Sequence, residues 1–540
     1  MIYTEMTRKA MKLCWEAHAG QLDKGGMPYA LHPVHLAEQM EDEVTTVVAL
    51  LHDVVEDTAY TFDDLEAMGF GGAVLDALKL LTHEEGVEYM DYVRAIAGNP
   101  VARKVKMADL AHNLDESRLP DPSANIREKR KLYRKALNLL AEAQAPAVPV
   151  VPVEDTTLAA LEKQYNNRFR DQIRGCLLGG AAGDALGYEV EFISHSQIVK
   201  RFGRDGITEF VSHDGYARFS DDTQMTLYTA AGLLCGATRA ENSDTPVSME
   251  KWIHKCYLDW LETQYATGNH KASCWLNNVR ALYAWQAPGN TCLSALASHK
   301  MGSVAKPLNH SKGCGGVMRV APVGLFFKNT RENGRPDQIL DIMRLAGEAA
   351  AITHGHPLGY IPAAALAQMV SRIVYGGCKY GTMPWDILRE CKELLITLYG
   401  DDEYTQTMNG LLDQAASLVG NGKPDFENIH ALGGGWVGDE ALAIAVYCWL
   451  KYPHDFERAL IAAVNHSGDA DSTGAILGNI LGAAVGYENL SLKWTEELEM
   501  VDVILQIADD LCDGPRAGAS DDTWKAKYIS GTHTPGTVQA

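Results

Sequence analysis

Apolar residues recur three and four positions apart along most of this chain, as in TEMTRKAMKLCWEAH, VTTVVALLHDVVED, EKRKLYRKALNLLAEA and EALAIAVYCWLKY. This spacing places the apolar side chains on one face of an α-helix. It is accompanied by no sustained alternation of apolar and polar residues and no βαβ rhythm, so we expect an all-α fold. The 540 residues exceed one ordinary hydrophobic core, which predicts two or more domains.

The stretch AEAQAPAVPVVPVEDTT is the clearest break in the helical pattern. Proline removes backbone donors and favours extended chain, so residues 141–158 are predicted to form a linker. This linker separates an N-terminal domain over 1–140 from a larger domain over 159–515. Gly, Ser, Thr and Pro dominate afterwards, so 516–540 is expected to be a flexible tail.

Charge and cysteine content narrow the class of partner. The formal net charge of -22 argues against nucleic acid or an anionic membrane, which would repel the chain. The 11 cysteines include no C-x-x-C pair, which predicts reduced thiols and a cytoplasmic protein. Residues 1–20 have an amphipathic pattern without the apolar core of a signal peptide, and no apolar stretch is long enough for a membrane span.

The apolar run VVALLHDVVEDT is interrupted by four polar residues, His52, Asp53, Glu56 and Asp57. On a helix, Asp53 shares a face with Glu56 and Asp57, so the carboxylates can converge. Two distant residues can join them, His32 in PYALHPVHLAEQM and Asp109 in KVKMADLAHNLD. A lone histidine here would more often be a hydrogen-bonded core residue. Two imidazoles and two carboxylates, however, suit Mn²⁺, Fe²⁺ or Zn²⁺ with an open position for water.

The blocks KGGMPYALHP, LLHDVVEDT and KVKMADLAHNLDESRLP resemble the HD-domain hydrolases of the RelA/SpoT family, which remove the 3'-pyrophosphate of (p)ppGpp with Mn²⁺. The resemblance covers residues 1 to about 120 and implies an HD-type helical bundle, one Mn²⁺ or similar ion, and a small nucleotide substrate. It implies metal ligands at His32, His52, Asp53 and Asp109, water-activating residues at Glu56 and Asp57, and substrate contacts at Lys24 and Asn113. Leu110 stands where the family usually has arginine, and Lys24 stands alone where the family has a basic pair. The resemblance therefore supports the type of reaction better than it supports (p)ppGpp as the substrate.

FSDDTQMT places Asp221 and Asp222 side by side after Ser220. Acidic residues and a capping serine suit any helix N-terminus. The same four letters, SDDT, recur at residues 520–523 in the expected tail, where we read them as coincidence. The motif therefore gains meaning only from the residues that it meets in the fold.

NHSGDADSTGAILG supplies a second acidic loop with Asp469, Asp471 and Ser472. An EF-hand is excluded because Ile480 occupies the twelfth position, where a bidentate glutamate is required. We expect the two acidic loops to face each other across one cleft. Four carboxylates would repel one another there unless Mg²⁺, which prefers oxygen ligands, bridges them.

Three further stretches fit the same cleft. GCLLGGAAGDALGYEVEF carries small residues that allow close helix approach and ends near Glu191. KGCGGVMRVAP has glycines whose N–H groups can cradle a pyrophosphate, although a glycine-rich turn alone is weak support. In ITHGHP, a structural role for the histidines is as plausible as a functional one.

Together these blocks, with GGGWVGDEALAIAVY, resemble the ADP-ribosylglycohydrolase family across some 330 residues. The resemblance implies a larger all-α bundle around two Mg²⁺ ions, held by Ser220, Asp221, Asp222, Asp469, Asp471 and Ser472. Glu191 falls on the acidic residue near the ribose, and we expect it to act as general acid or base or to orient the distal hydroxyls. Substrate-contacting positions fall on Gly313, Cys314, Gly315, Gly316, Met318, Arg319 and His354. Cys314 replaces a polar amide of the family.

The sequence thus predicts a bifunctional hydrolase. Its C-terminal domain would remove ADP-ribose from a modified protein or other substrate, and its N-terminal domain would cleave a nucleotide pyrophosphate. As the alternative, the HD domain is a catalytically weak nucleotide sensor that regulates the glycohydrolase.

Overall fold

The computed structural model describes residues 4–22, 26–40, 42–83, 87–114, 132–133, 135–137, 139–140, 158–241, 246–266, 271–326, 338–515 and 522–534. Within these ranges the regular structure is helical, and the paired backbone outside the helices consists of isolated bridges. The prediction of an all-α fold is confirmed. The chain divides into two compact units, Met1–Asp155 and Thr156–Ala540. Of the predicted linker, only Leu158 is described, and it begins a helix.

The N-terminal unit is built from short helices around one buried helix. The helices are α1 (Glu5–Ala17), α2 (Leu31–Glu38), α3 (Glu43–Leu51), α4 (Val54–Asp57), α5 (Phe62–Ala67), α6 (Ala73–Leu81), α7 (Tyr89–Ala97) and α8 (Pro100–Leu114). Asp42 caps α3 by accepting a hydrogen bond from the Thr45 N–H at 2.8 Å, which satisfies a free donor of the first turn. α3 then packs against α1, α2, α6 and α8, and its residues from Thr45 to Leu51 are buried.

The chain is not helical between α3 and α4, although the sequence predicts one continuous helix through VVALLHDVVEDT. α3 ends at Leu51 and α4 begins at Val54. His52 Nδ1 lies 2.9 Å from the Ala49 carbonyl oxygen, which would accept the Asp53 N–H in an unbroken helix. The prediction of a continuous helix is therefore wrong, because the imidazole competes with the backbone at this turn.

The C-terminal unit contains more and longer helices. They are α9 (Leu158–Tyr188), α10 (His195–Phe202), α11 (Asp221–Glu241), α12 (Met249–Tyr265), α13 (Asn290–Ala297), α14 (Ala321–Phe326), α15 (Gln338–Ala351), α16 (Pro357–Tyr375), α17 (Pro384–Tyr399), α18 (Glu403–Leu418), α19 (Asp425–Leu432), α20 (Gly438–Lys451), α21 (Phe456–Val464), α22 (Ala470–Val485), α23 (Val501–Asp513) and α24 (Asp522–Tyr528). α11 is buried from Asp221 to Thr238, so its acidic N-terminus lies inside the unit.

Glycines bring α9 and α22 into backbone contact. A Cβ added at Gly175, Gly179 or Gly183 would lie less than 3.0 Å from the carbonyl oxygen of a glycine on α22. The facing glycines are Gly482, Gly478 and Gly474, in that order. The expected close approach of small residues is confirmed, and it sets the ends of the two helices, which carry the acidic residues, side by side.

The segment after residue 515 departs from the expected flexible tail. Residues 516–521 and 535–540 lie outside the described residues, but Asp522–Tyr528 forms α24. Trp524 and Tyr528 are buried, and Trp524 Nε1 donates to Thr238 Oγ1 at 3.0 Å. The tail prediction is wrong for this stretch, because two aromatic side chains bury enough apolar surface to hold a short helix in place.

No helix in the described part of the chain combines the length and apolar character that a bilayer crossing requires.

Candidate active sites

The N-terminus of α11 is held inside the C-terminal unit by Asp184, which sequence reasoning missed. Asp184 Oδ1 accepts from the Ser220 N–H at 2.7 Å, and its Oδ2 accepts from the Thr223 N–H at 2.9 Å and from Thr223 Oγ1 at 2.6 Å. Burial and the charge of Asp471 raise the pKa of Asp184 to about 7. The signal was available, since Asp184 is the charged residue within the small, apolar run of α9.

Asp221 and Asp222 follow at the start of α11, and both are buried. Asp221 Oδ2 accepts from the Gly289 N–H at 3.2 Å. Asp222 N–H donates to Ser220 Oγ at 3.2 Å, and Asp222 Oδ2 is buried without a hydrogen-bond partner among the described residues. Burial, followed by the charges of neighbouring carboxylates, raises the pKa of Asp222 well above its ordinary range.

The second acidic loop leads into α22. Asp469 accepts from the Ser472 N–H at 3.3 Å, and Asp471 Oδ1 accepts from the same N–H at 2.9 Å. The Cys314 thiol donates to Asp469 Oδ2 at 2.6 Å. Burial, and then the charge of Asp471, raises the pKa of Asp469 well above its ordinary range.

The two acidic loops and Glu191 form one buried group, which we call the carboxylate cluster: Asp184, Glu191, Asp221, Asp222, Asp469 and Asp471. Carboxylate oxygens of Glu191, Asp469 and Asp471 lie within 4.8 Å of one another. Burial, and then the charge of Asp471 across the cluster, raises the pKa of both Asp221 and Asp222. The expectation that distant acidic loops meet is confirmed by this proximity.

Glu191 enters the cluster from the turn after α9. Its side chain is 8% exposed, and its Oε2 has no hydrogen-bond partner within the described ranges. Burial, with the charges of Asp471 and Asp469, raises its pKa to about 11. Such a group must either keep a proton or face a cation at neutral pH.

The glycine-rich loop lies against His354. A Cβ added at Gly315 would be 3.0 Å from His354 Cε1 and 3.1 Å from Cys292 Sγ, so any side chain there would crowd both neighbours. His354 Nδ1 lies 2.9 Å from Thr353 Oγ1, and burial lowers the pKa of His354 to about 3. The imidazole is therefore neutral and supports the loop from its buried side.

Within this loop, the positions of the predicted substrate contacts differ. Gly313, Cys314 and Gly315 are partly exposed residues, whereas Gly316 and Met318 are buried. Met318 Sδ lies 3.9 Å from Ser472 Oγ, the acidic loop's hydroxyl. The 3-10 helix Cys314–Gly316 thus places its first residue against Asp469 and its last in the core.

Arg319 was predicted to contact substrate, but it is fully buried among protein groups. Its Nη2 donates to Thr353 Oγ1 at 2.7 Å, and its guanidinium lies 4.3 Å from the Tyr257 ring centre. With 0% exposure it has no surface for a ligand, so a direct substrate contact does not fit its position. It supports the loop from within the core.

The N-terminal unit contains a second group of metal-ligating types. Ligand atoms of His32, His52 and Asp109 lie within 4.8 Å of one another, and all three residues are buried. His32 Nε2 is 3.3 Å from Asp109 Oδ1 and 3.8 Å from Asp53 Oδ2. The structure therefore brings the four predicted ligands together.

His52 presents Nε2 to this group. Its Nδ1 faces the Ala49 carbonyl oxygen, while Nε2 lies 2.9 Å from Asp53 Oδ2 without an aligned hydrogen bond from the described residues. Burial alone would lower the pKa of His52, but Asp53 and Asp109 raise it to about 9. A proton and a divalent cation would compete for this one nitrogen.

Three neighbours of the ligand group were not foreseen: Tyr29, Lys106 and His112. Tyr29 Oη donates to Asp53 Oδ2 at 2.7 Å, and Lys106 Nζ pairs with Asp109 Oδ2 at 2.9 Å. His112 stacks on His32, with ring centres 4.8 Å apart. Such outer partners orient metal ligands but have no fixed spacing from them in the sequence. Of the three, only His112 had a sequence signal, because it lies three residues after the predicted ligand Asp109 in DLAHN.

The remaining predicted residues of this unit divide into three groups. Glu56 is exposed and accepts from the His83 N–H at 3.1 Å. Asp57 is an exposed residue, but its carboxyl group is partly shielded from solvent, and this shielding and the charge of Asp53 raise its pKa. Asn113 Nδ2 donates to Asp109 Oδ1 at 2.5 Å, so it contacts a ligand position. Lys24 lies outside the described residues.

Both groups fit divalent cations by their donor chemistry. Buried oxygens without partners at Glu191 and Asp222 offer free lone pairs, as oxygen-preferring cations require. The two imidazoles and two carboxylates of the N-terminal group suit a borderline metal ion. The fold and these sites define an all-helical protein with an oxygen-rich cluster of possible metal ligands.

Residues 165–520 match the family model for ADP-ribosylglycohydrolase. The chain belongs to the ADP-ribosylglycohydrolase family, which is a family of hydrolases. One relative is the ADP-ribosyl-[dinitrogen reductase] glycohydrolase of Rhodospirillum rubrum, 24% identical over 337 residues, which are 61% of this chain and 91% of that protein. A solved structure, an ADP-ribosylglycohydrolase-related protein complex, covers 64% of this chain and 99% of its own at 22% identity and a TM-score of 0.42.

The N-terminal region is similar to other proteins. The bifunctional (p)ppGpp synthase/hydrolase SpoT of Escherichia coli K12 is 31% identical over 183 residues, which are 30% of this chain. This chain spans only 25% of the length of that relative.

Proposed function

We propose that the C-terminal unit hydrolyses the glycosidic bond between ADP-ribose and a modified target. The observation that carries this proposal is the carboxylate cluster, in which residues some 250 positions apart bury their charges together. Without cations such a cluster costs several kcal/mol per unpaired charge. Membership of the family supplies the reaction type, and the relative from Rhodospirillum rubrum is named for release of ADP-ribose from dinitrogen reductase.

Two Mg²⁺ ions would be held by one set of oxygen ligands: Ser220, Asp221, Asp222, Asp469, Asp471 and Ser472. When bound, these ions supply Lewis-acid stabilisation of ribose oxygens and lower the pKa of a water molecule. Asp184 would stay outside that set, because both its oxygens accept hydrogen bonds from the start of α11. It is a positioning residue that fixes Asp221 and Asp222.

Glu191 would handle the proton of the reaction. Its free Oε2 can donate a proton to the leaving nitrogen or oxygen, or accept one from the attacking water. The bond from the ribose C1' would break through an oxocarbenium-like state as the leaving nitrogen or oxygen receives the proton. The N–H groups of Gly313 and Cys314 donate to Ser311 Oγ and to the Trp436 carbonyl oxygen, so the partly exposed Gly315 would be the contact of this loop with the phosphates.

Cys314 would tune the selectivity of this site. Its thiol donates to Asp469 Oδ2, a predicted cation ligand, at the position where the family commonly has an amide. A thiol is a weaker donor and acceptor than an amide. It would therefore contribute less hydrogen bonding to a ribose hydroxyl and leave Asp469 as the main polar contact there.

For the N-terminal unit we propose a nucleotide pyrophosphohydrolase with one Mn²⁺ or similar ion at His32, His52, Asp53 and Asp109. Such an ion provides a water of lowered pKa. Tyr29 and Asn113 hold the Asp53 and Asp109 carboxylates, and Asp57 beside them would take the proton of the attacking water. Glu56 and Lys24 would act on water and substrate, as the similarity to SpoT suggests.

A second candidate function for this unit is a nucleotide sensor that regulates the glycohydrolase. The observation in its favour is Leu110, which is 1% exposed in the hydrophobic core and replaces the arginine that the similar hydrolases usually have at this position. Loss of the positive charge of that arginine would weaken substrate binding more than it weakens activation of the water molecule. A sensor would bind (p)ppGpp without turning it over.

Point variants of the full-length protein separate these activities. We expect Asp222→Asn to reduce release of ADP-ribose from an ADP-ribosyl-arginine or ADP-ribosyl-serine peptide by more than the roughly 10–100-fold that loss of an outer partner of a metal ligand costs. Its hydrolysis of (p)ppGpp with Mn²⁺ should be unchanged. Asp53→Asn should show the opposite pattern.

Two results would contradict the proposals. Full ADP-ribose release by Asp222→Asn would remove the carboxylate cluster from the reaction. Binding of (p)ppGpp without turnover by the unaltered protein would favour the sensor.

A further inference from the structure

The turn that follows α1 is hydrogen-bonded to the end of α4. His18 comes directly after the last residue of α1 and is 2% exposed. Its Nδ1 lies 2.7 Å from Gln21 Oε1, and Gln21 Nε2 donates to the Asp57 carbonyl oxygen at 3.0 Å. Gln21 and Asp57 are 36 positions apart in the chain. Neither His18 nor Gln21 belongs to the predicted ligands or water-activating residues of this unit.

The Asp57 carbonyl needs a partner because α4 is a single turn of four residues, Val54–Asp57. The last carbonyl groups of a helix have no partner within that helix, and one isolated turn has little stability of its own. The Gln21 amide supplies the missing donor and ties down the residue that ends the turn. The place of the Asp57 main chain, and with it the direction of the carboxylate, therefore depends on Gln21.

The orientation of the Gln21 amide fixes the tautomer of His18. A main-chain carbonyl only accepts hydrogen bonds, so the NH₂ group of Gln21 must face Asp57 and its oxygen must face His18. His18 Nδ1 therefore carries a proton and donates it to Gln21 Oε1. His18 Nε2 has no hydrogen-bond partner among the described residues, so the bond that this ring makes is the one that orients Gln21.

The same imidazole packs against Tyr29, with the two ring centres 5.0 Å apart. Tyr29 Oη donates to Asp53 Oδ2 and also lies within hydrogen-bonding reach of the Asp57 carboxylate. His18 thus supports two neighbours of Asp57. The Gln21 amide holds its main chain, and the Tyr29 hydroxyl lies beside its side chain.

We propose that His18 and Gln21 are positioning residues for the water-activating carboxylate of Asp57. The inference rests on the proposed pyrophosphohydrolase activity of the N-terminal unit. A general base must lie within hydrogen-bonding reach of the proton that it takes, and a displacement of about 1 Å can cost about 100-fold in rate. Because both residues act through Asp57, their loss should lower kcat and leave KM and the affinity for Mn²⁺ in place.

Gln21→Met in the full-length protein tests this role. Methionine keeps the length of the side chain and removes the amide, so kcat for (p)ppGpp hydrolysis with Mn²⁺ should fall by about 10–100-fold while KM changes little. Gln39→Met is the matched control, because Gln39 Nε2 also donates to a main-chain carbonyl, that of His35, at 3.3 Å. The control should keep the kcat of the unaltered protein. Titration calorimetry should give one Mn²⁺ affinity for all three proteins.

Two substitutions of His18 separate positioning from packing. His18→Asn keeps an N–H donor for Gln21 and should retain most of the turnover. His18→Leu keeps an apolar contact with Tyr29 and should lose as much kcat as Gln21→Met does. Unchanged kcat in Gln21→Met, a rise of KM alone, or equal losses in the two His18 variants would overturn the positioning role. Absence of turnover by the unaltered protein would instead remove the hydrolase activity on which this inference rests.

Discussion

Glu191 is the residue whose chemistry depends most on what surrounds it. Its ordinary pKa of 4.5 rises to about 11 through burial and the charges of Asp471 and Asp469. In the cation-free protein, Glu191 therefore binds a proton more tightly in the folded state than in the unfolded state. Its contribution to stability is therefore fully present below pH 4.5 and falls as the pH rises from there toward its folded pKa.

This pH dependence predicts that Mg²⁺ stabilises the folded protein more strongly as the pH rises. The cation-free protein should lose melting temperature between about pH 5 and pH 8, because the unfolded carboxyls ionise freely there. Bound cations replace the proton, so the Mg²⁺-induced shift in melting temperature should increase over the same range. Scanning calorimetry with and without Mg²⁺ measures both. A shift that is independent of pH would place cation binding outside this cluster.

Asp184 offers a second test at this scale. Asp184→Asn replaces a carboxylate oxygen with an NH₂ group that faces donors from Ser220 and Thr223, which should cost about 1–3 kcal/mol of unfolding free energy. Affinity for Mg²⁺ should fall as well, because the start of α11 is no longer held.

The control for this variant is Asp171→Asn, on the same helix. Asp171 Oδ1 accepts from the Glu488 N–H at 2.8 Å, away from the carboxylate cluster. We expect it to lower stability and leave Mg²⁺ affinity unchanged, as measured by titration calorimetry. Equal Mg²⁺ affinities in the two variants would show that Asp184 has no positioning role.

At this scale the sequence indicated candidate ligands better than the residues that support them. Adjacent carboxylates such as Asp221 and Asp222 are conspicuous, because their repulsion needs an explanation. Tyr29 and Lys106 are not, because Tyr29 contributes a single hydrogen bond from elsewhere in the fold and Lys106 a single ion pair within α8. From the sequence, Arg319 was expected to contact the substrate. Its burial beside Tyr257 depends on the tertiary structure, which the local sequence does not reveal.

The pairing of α9 with α22 is the element on which the carboxylate cluster depends. The glycine contacts bring the two backbones together, and Asp184 and Asp471 lie at the adjoining ends of these helices. A side chain between the helices would separate Asp184 and Glu191 from the 469–472 loop. Cation binding should therefore be as sensitive to this contact as stability is.

Gly183→Ala tests this pairing. Its Cβ would lie less than 3.0 Å from the Gly474 carbonyl oxygen, so the variant should lose about 1–3 kcal/mol or more through overpacking. Gly410→Ala is the control, since no atom lies within 4 Å of its Cβ on the exposed side of α18. There the better helix propensity of alanine should add up to about 1 kcal/mol. Urea unfolding distinguishes them, and equal effects would contradict the packing argument.

Helix existence was predictable, but helix ends were less so. Periodicity identified the long helices, and small residues in GCLLGGAAGDALG indicated close packing. The interruption at His52 depends on a side chain competing for the Ala49 carbonyl, which periodicity does not register. The helix at Asp522–Tyr528 depends on Trp524 and Tyr528 finding a buried place, which a polar local composition conceals.

At the scale of the whole molecule, each unit has its own hydrophobic core. One core includes Leu36, Val47 and Leu110, and the other includes Leu178, Leu233 and Ile476. We expect calorimetry of the full-length protein to show two unfolding transitions. Asp222→Asn should abolish the Mg²⁺-induced shift of one transition and leave the other unchanged. A single transition that Asp222→Asn shifts as a whole would show that the units unfold together.

The contact between α9 and α22 also determines when the C-terminal unit can fold during synthesis on the ribosome. α9 is synthesised near the start of the C-terminal unit, yet the glycines that it packs against come almost 300 residues later. Until those residues leave the exit tunnel, its bare glycine face has no partner, and the acidic residues cannot gather. Nascent chains should thus need a holding chaperone late into translation, and truncation before residue 474 should leave a polypeptide with neither the helix pair nor a cation site.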